Sequence, residues 1–223
     1  MRKIKVYSCV AGDYDDVTNS LFASNPVDEE NVSYTLFTDK TITHPLWDIQ
    51  PLGYKHQFCT RRTARWHKIN SHILFPNHDV TVWIDGNFRI KNISVTEFIS
   101  KLTQTGFNLF AFKHPERNCI YQEFLACKQL RKDNPVLMQK QVETYVKAGY
   151  PAYNGLVETG CTVRVNNHIT TSFNTHWWHE LNAHSYRDQL SFNYVAWKLG
   201  IAYGLIPGRG AKSEFFEYVR HNK

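Results

Sequence analysis

Asp79-Val80-Thr81-Val82-Trp83-Ile84-Asp85-Gly86-Asn87 is an apolar run that stops abruptly at a carboxylate, a glycine and an amide. A strand buried on both faces gives such a run, and in open α/β sheets ligands bind just beyond the carboxyl ends of the strands. Asp85 stands at that end. Gly86 permits a tight turn or close approach of a ligand to the backbone, while Asp85 and Asn87 supply oxygen donors of the kind that hold Mg²⁺ or Mn²⁺. The same residues also fit an ordinary Asp-Gly turn that merely ends a strand.

Working outward, Ile4 to Val10 reads as a first strand with the loop Ala11-Gly12-Asp13-Tyr14-Asp15-Asp16 at its carboxyl end. Ser33 to Thr38 and Trp47 to Leu52 are further strands, and Thr60 to Phe75 is one helix stopped by Pro76-Asn77. After the Asp79 to Ile84 strand, Ser94-Val95-Thr96-Glu97 is a capping-box signature opening a helix to Gln104, and Phe107 to Phe112 is another buried strand. The second half reads as helices Ile120 to Lys132 and Pro135 to Ala148, a strand Cys161 to Val165, helices Ile169 to Leu181 and Asp188 to Leu199, and a strand Ile201 to Ile206. The Gly208-Arg209-Gly210 loop and a short terminal helix complete the pattern. The expected fold is α/β, one mixed sheet flanked by helices.

At 223 residues and 42% hydrophobic, the chain suits one sizeable core, so residues 1–223 are read as a single domain. No apolar run reaches the length of a membrane span, and Met1 to Cys9 leads straight into a strand pattern without a signal-peptide core. That points to a cytoplasmic protein, with peripheral membrane attachment as an option. Five scattered cysteines argue against a disulfide framework or a zinc knuckle and are read mostly as buried thiols. A formal charge of +6 favours anionic partners, but no aromatic ribonucleoprotein motif, zinc finger or basic tail supports nucleic acid.

On the Thr60 to Phe75 helix, Arg61, Arg65, Lys68 and His72 are spaced four, three and four apart and share one sector, beside an apolar stripe of Trp66, Ile69 and Ile73. Such a helix packs its apolar side on the sheet and presents cations along the edge, suited to a diphosphate; a solvated basic face is the plainer alternative. His114 ends another strand, and Tyr121 and Glu123 just beyond it can face the same cleft. Glu158-Thr159-Gly160 leads into the Cys161 strand. Asp188, between Arg187 and Gln189, is either a helix cap or a substrate carboxylate beside donors for sugar hydroxyls. His176-Trp177-Trp178-His179-Glu180 lacks the spacing of a zinc-protease helix and reads as amphipathic packing with an exposed His-Glu edge. No Gly-x-Ser-x-Gly elbow, Walker loop or dinucleotide glycine fingerprint is present. Oxygen donors beside a cationic helix edge fit transfer from a diphosphate-activated donor, whose leaving group needs charge neutralisation and fixed placement.

Five blocks follow one another along the chain: Arg65-x-x-Lys68-x-x-x-His72-x-Leu74-Phe75-Pro76, then Trp83-Ile84-Asp85-Gly86-Asn87, and His114-Pro115-Glu116-Arg117-x-Cys119-Ile120-Tyr121-x-Glu123, followed by Glu158-x-Gly160-Cys161 and Arg187-Asp188-Gln189-x-Ser191-Phe192. In this order they resemble the plant mucilage-related glycosyltransferase-like family, which has many bacterial members. The resemblance spans Val6 to Leu199 and implies a glycosyltransferase A fold. Its nucleotide-binding half would end near 112, with an acceptor-binding half from 113. The order of the last two blocks is also similar to the sugar-binding strand and helix of glycogenin-like transferases. One departure is Asp85-Gly86-Asn87 in place of Asp-x-Asp, which removes one negative charge from the metal site.

The resulting expectation is a metal-assisted transferase moving a sugar from a nucleoside-diphosphate sugar, a UDP-sugar foremost, to a hydroxyl on a glycan or other acceptor in polysaccharide synthesis. Val10, Gly12 and Tyr14 would hold base and ribose, and Asp85 and Asn87 would ligate Mn²⁺ or Mg²⁺. Arg65 and Lys68 would neutralise the diphosphate, helped by Arg209 or Lys212. Arg187 and Gln189 would hold the donor, and Asp188, Glu158 and His114 would address donor sugar or acceptor, either as a general base or by shielding an oxocarbenium-like state. The rivals are a metal-dependent hydrolase using Asp85 and His114 to activate water, and a noncatalytic carbohydrate or nucleic-acid binding module.

Overall fold

The computed structural model describes residues 1–13, 16–210 and 213–219. Seven strands form one sheet in the order β3-β2-β1-β4-β7-β6-β8. They are β1 (Ile4–Val10), β2 (Val32–Thr38), β3 (Asp48–Pro51), β4 (Val80–Ile84), β6 (Leu109–Lys113), β7 (Val157–Val165) and β8 (Gly204–Ile206). Both halves of the chain contribute strands to it. All neighbouring strands are parallel except at β7, which runs antiparallel to β4 and β6. The start of β7 therefore lies beside the ends of its neighbours, with Cys161 opposite Ile84 and Val157 opposite Lys113.

A bulge sharpens this arrangement. Ala111 pairs with Thr162 but Phe112 pairs with Glu158, so Thr159, Gly160 and Cys161 have no counterpart on β6. Bulges re-aim side chains next to sites, and here the extra residues turn Glu158 and Thr159 toward the carboxyl edge of the sheet. Glu158 to Gly160 belong to the strand itself, which begins earlier than the Cys161 start read from sequence.

Helices cover both faces of the sheet. One face packs Val6, Val82, Ile84, Phe110 and Val163 against Phe98 and Ile99 of α3 (Val95–Thr103). The other packs Leu109, Ala111 and Val157 against Trp177 of α6 (His168–Ala183) and Phe192 of α7 (Gln189–Leu199). Helices α4 (Ile120–Gln129) and α5 (Pro135–Lys147) form an outer pair. Among the described residues no helix is long and apolar enough to cross a membrane. Four of the five cysteines are buried and all are free, as their spacing suggested.

Three expectations need correction. The single helix over Thr60 to Phe75 is two, α1 (Thr60–Ile69) and α2 (Ser71–Leu74), because Asn70 leaves helical geometry (ψ 40°) and its side chain donates back to the Trp66 carbonyl at 3.0 Å. Ile73 is consequently 58% exposed instead of continuing the apolar stripe. The expected terminal helix is replaced, in its described part, by β9 (Phe216–Tyr218), antiparallel to a strand absent from the sequence reading, β5 (Phe88–Ile90). At α3, Ser94 accepts from the Glu97 amide as a capping box requires, but the Glu97 carboxylate pairs with Lys101 instead of closing the box. Glu29, from a distant loop, accepts from the Val95 and Thr96 amides in its place.

Candidate active site

A cleft of about 610 Å³ opens at the carboxyl edge of β1, β4 and β6 and the start of β7. Its floor is the end of β4. The Asp85 amide donates to the Gly160 carbonyl at 2.8 Å and the Phe88 amide to the Asp85 carbonyl at 3.0 Å, so Asp85 to Phe88 is a tight turn. Ser20 Oγ donates to the Gly86 carbonyl at 2.6 Å, and the Val219 amide to the Asn87 carbonyl at 2.8 Å. Gly160 is required here, since a Cβ on it would sit 2.8 Å from the Phe88 ring. The turn is thus an ordinary one in its backbone, yet its Asp85 and Asn87 line the cleft.

Asp85 is the centre of a charged chain. Its Oδ1 accepts from Trp83 Nε1 at 2.7 Å and Lys68 Nζ at 3.3 Å, and Arg65 Nη1 stands 3.9 Å away. Lys68 Nζ continues to Asp188 Oδ2 at 2.5 Å, and Arg65 Nε reaches Asp188 Oδ1 at 3.4 Å. Thr159, from the bulge, donates its hydroxyl to Asp188 at 2.9 Å. Asp188 and Lys68 are fully buried, whereas Asp85 and Arg65 face the cleft. Burial alone would raise the Asp188 carboxyl, but the charges of Arg65 and Lys68, the Lys68 hydrogen bond and the nearby Arg187 outweigh it and hold that carboxyl well below the ordinary aspartate range. Asp188 occupies the N-cap position of α7 without capping it through its side chain. It anchors two cations instead.

Glu158 lines the opposite wall. Burial, and then the negative charge of Asp85, raise its carboxyl above the ordinary glutamate range, although the Gly210 amide and Lys68 oppose this. A Cβ on Gly210 would stand 2.7 Å from Glu158 Oε2, so the loop before β9 lies directly on this carboxylate. Two acids facing one space, one of them reluctant to ionise, mark a place where a cation or a proton is accommodated.

A second cluster forms the far wall. Glu123, buried on α4, accepts from Arg117 Nε at 2.7 Å and from Cys127 at 3.3 Å, with Arg187 Nη2 4.0 Å away. His114 lines the cleft, but its Nδ1 accepts from the Glu116 and Arg117 amides at 3.2 and 3.0 Å. That places the ring proton on Nε2, which stands 3.5 Å from Glu123 Oε2. Burial lowers the His114 pKa. Through its two amide contacts His114 ties the 114–117 turn together while its ring borders the cleft.

Of the remaining expected residues, Val10, Arg187 and Gln189 line the cleft. Arg187 Nη2 donates to Gln189 Oε1 at 3.1 Å, so the two form one unit. Lys68 does not line it: buried completely, it acts from behind Asp85 and Asp188. Gly12 is also outside the lining, its amide donating to the Asp39 carboxylate, and Arg209 does not reach the lining either. Tyr14 and Lys212 lie outside the described residues. His72 leaves the cationic row, because the break at Asn70 turns it to Asn174 on α6, with 3.3 Å between Nδ1 and Nδ2. Tyr121 points away, donating to the Tyr150 carbonyl at 2.7 Å. The amphipathic reading of 176–180 holds for Trp177, which is buried, and His179, which is exposed, but Glu180 does not share that exposed edge, since it is largely covered and accepts from the Tyr145 hydroxyl at 2.8 Å.

Sequence reasoning missed Trp83, Thr159 and Tyr218. Trp83 and Thr159 each adjoin a residue that was singled out; Tyr218 arrives on β9 and has no local signal. Among the described residues no group of three His, Cys, Asp or Glu forms a metal cage. The oxygen donors of Asp85 and Asn87 fit an ion of the Mg²⁺ or Mn²⁺ type, which keeps several non-protein ligands and is commonly completed by substrate phosphates.

Residues 46–217 match the model of the TOD1/MUCI70, glycosyltransferase-like domain family. The probable hexosyltransferase MUCI70 of Arabidopsis thaliana is 25% identical over 221 residues, covering 89% of this chain and 38% of that protein. The chain therefore spans well under half the length of this relative. Among solved structures, the apo form of the bifunctional glycosyltransferase WbbM superposes with a TM-score of 0.55 at 12% identity, covering 92% of this chain and 39% of that one. At that identity the likeness is one of fold, and it agrees with the glycosyltransferase A-like mixed sheet. The family match covers more than half of the sequence, and the chain belongs to the TOD1/MUCI70 glycosyltransferase-like domain family.

Proposed function

We propose that this domain transfers a hexosyl group from a nucleoside-diphosphate sugar, a UDP-sugar foremost, to a hydroxyl of a glycan or related acceptor, assisted by Mn²⁺ or Mg²⁺. The observation that carries the reading is the Asp85–Lys68–Asp188–Arg65 chain at the floor of the cleft. It places one cleft-facing carboxylate for a metal ion beside a guanidinium for phosphate, the carboxylate held by the Lys68 ammonium and the guanidinium by the buried Asp188 carboxylate.

In this reading Asp85 and Asn87 hold the ion, which when bound neutralises the charge that builds on the leaving diphosphate. Arg65 faces the same oxygens, and Lys68 adds positive potential from beneath. Val10 and the first loop border the nucleoside. Arg187 and Gln189 offer donors to the sugar. Glu158, whose carboxyl is raised above the ordinary glutamate range by burial and by the charge of Asp85, is suited to receive the acceptor's proton if the anomeric centre inverts, or to shield an oxocarbenium-like state if it does not. Cytoplasmic placement and a role in polysaccharide synthesis remain part of the same proposal.

A thermal-shift screen of nucleotide sugars with and without Mn²⁺, on wild type and Asp85→Ala, tests it. Stabilisation by one nucleotide sugar that needs Mn²⁺ and disappears in the variant is the expected result. A hydrolase would release nucleoside diphosphate at full rate without acceptor, and a transferase releases it much faster once the acceptor is added.

A further inference from the structure

Beneath the charged chain, Arg164 is a guanidinium with no surface exposure, on β7 between Thr81 and Leu109. No carboxylate pairs with it among the described residues, and its Nε and Nη2 have no hydrogen-bond partner. Burying an unpaired charge costs several kcal/mol, on the order of what a whole domain can spare. Its placement explains what offsets that cost. Nη1 donates at 2.9 Å to the carbonyl of Lys68, which belongs to the last turn of α1, where helix carbonyls lack an intrahelical partner and carry the negative end of the dipole. The indole of Trp177 lies 5.7 Å from the guanidinium on another side.

Tyr7 completes the arrangement. Its hydroxyl donates to the same Lys68 carbonyl at 2.7 Å and accepts from Arg164 Nη1 at 2.9 Å. Its ring meets the Trp83 indole edge-on at 5.3 Å, and Trp83 in turn donates to Asp85. Two groups that are remote in sequence therefore fix the backbone under Lys68 and the indole under Asp85 at once.

We infer that Arg164 and Tyr7 are positioning residues, a buried clamp that sets the Lys68 ammonium between Asp85 and Asp188. The catalytic consequence rests on the proposed transferase reading; the clamp itself rests on geometry alone. Lys68 carries the potential that the diphosphate meets, so a loosened α1 terminus weakens nucleotide binding without any change in a group that touches substrate.

The test uses Arg164→Met, Arg164→Lys and Tyr7→Phe. Folded protein is treated with an amine-acetylating reagent, and acetylation rates of Lys68 and Lys5 are read by peptide mass spectrometry. Lys5, also buried on this face of the sheet but bonded to Thr35, reports general loosening. Lys68 is expected to react about tenfold faster in Arg164→Met and a few-fold faster in Tyr7→Phe, with Lys5 unchanged and Arg164→Lys returning toward wild type. Calorimetry with UDP and Mn²⁺ should show about tenfold weaker binding in Arg164→Met and partial rescue in Arg164→Lys. Unchanged Lys68 reactivity, or a parallel rise at Lys5, overturns the clamp. If wild type binds no UDP, the transferase reading is what suffers, and the acetylation rates still decide the clamp. Should Arg164→Met not fold, Tyr7→Phe, which removes one hydroxyl, carries the same comparison.

Discussion

Replacing Asp188 by Asn removes one charge from a site where two cations converge. Lys68 and Asp188 are 0% and 2% exposed and 2.5 Å apart, so the ammonium loses its nearest counter-charge with no water to replace it. Removing one partner of a buried pair costs about 3–5 kcal/mol. Asp85 still stands 3.3 Å from Lys68, which puts the expected loss at the lower end, about 3 kcal/mol. For a chain of this length that is a fall in Tm of about 6–12 °C. The pH dependence has a definite sign. The folded Asp188 carboxyl lies below its unfolded value, so its stabilisation is complete above the unfolded pKa, about 3.9, and is lost as pH falls through the folded one. The gap between wild type and variant in thermal melts should thus be flat from about pH 5 to 8 and narrow only in stronger acid. The double variant Lys68→Met, Asp188→Leu removes both charges and should recover most of the loss. A single variant melting within about 1 °C of wild type, or a double variant no better than the single, would refute the assignment of Asp188 as the anchor of Lys68.

Gly160→Ala puts a methyl 2.8 Å from the Phe88 ring and 3.6 Å from Asp85 Oδ2; it should cost about 1–3 kcal/mol in denaturant melts and weaken Mn²⁺-dependent nucleotide binding. Glu29→Ala removes the acceptor of the Val95 and Thr96 amides and should cost about 1 kcal/mol, a Tm change of about 2–4 °C, with nucleotide binding untouched. Glu158, titrated by carboxylate carbon NMR in the free protein, should show a pKa above ordinary glutamate that drops when Asp85 becomes Asn, because one of the two causes of its elevation is that neighbour's charge. No change on Asp85→Asn would mean the two acids do not sense each other.

The sequence disclosed features that are local and concealed those that are made by distant chain segments. The run ending in Asp85 was readable because a strand buried on both faces must be continuously apolar, and the strand indeed has all five residues from Val80 to Ile84 buried. The Arg65 and Lys68 spacing was readable too, since both lie on the intact part of α1. His72 was misplaced by the same rule: angular periodicity extends only as far as the helix does, and nothing in residues 60–75 announces that the Lys68 carbonyl will be taken by Tyr7 and Arg164. The β5–β9 pair was invisible for a related reason. Three residues after an Asp-Gly-Asn turn carry too little pattern to be a strand until Phe216 to Tyr218 arrive beside them.

Burial was the other property that sequence could not supply. Lys68, Asp188 and Arg164 are residue types rarely buried without a partner, and a reading from composition assigns such residues to surfaces and ligands. Lys68 and Asp188 are buried because they complete one another, and Arg164 because a helix terminus ends against it. The groups that line the cleft, Asp85, Arg65 and Glu158, are then the ones that an entering ligand can also reach. That division gives the order in which substitutions should act. Losses at Asp188 or Lys68 should appear in stability and, at Lys68, also in nucleotide binding through the positive potential beneath Asp85. Loss of Glu158, which lines the cleft without an ion pair among the described residues, should leave melting nearly unchanged while ligand-induced stabilisation disappears, whereas loss of Asp85, which also pairs with Lys68 and accepts from Trp83, should show in both.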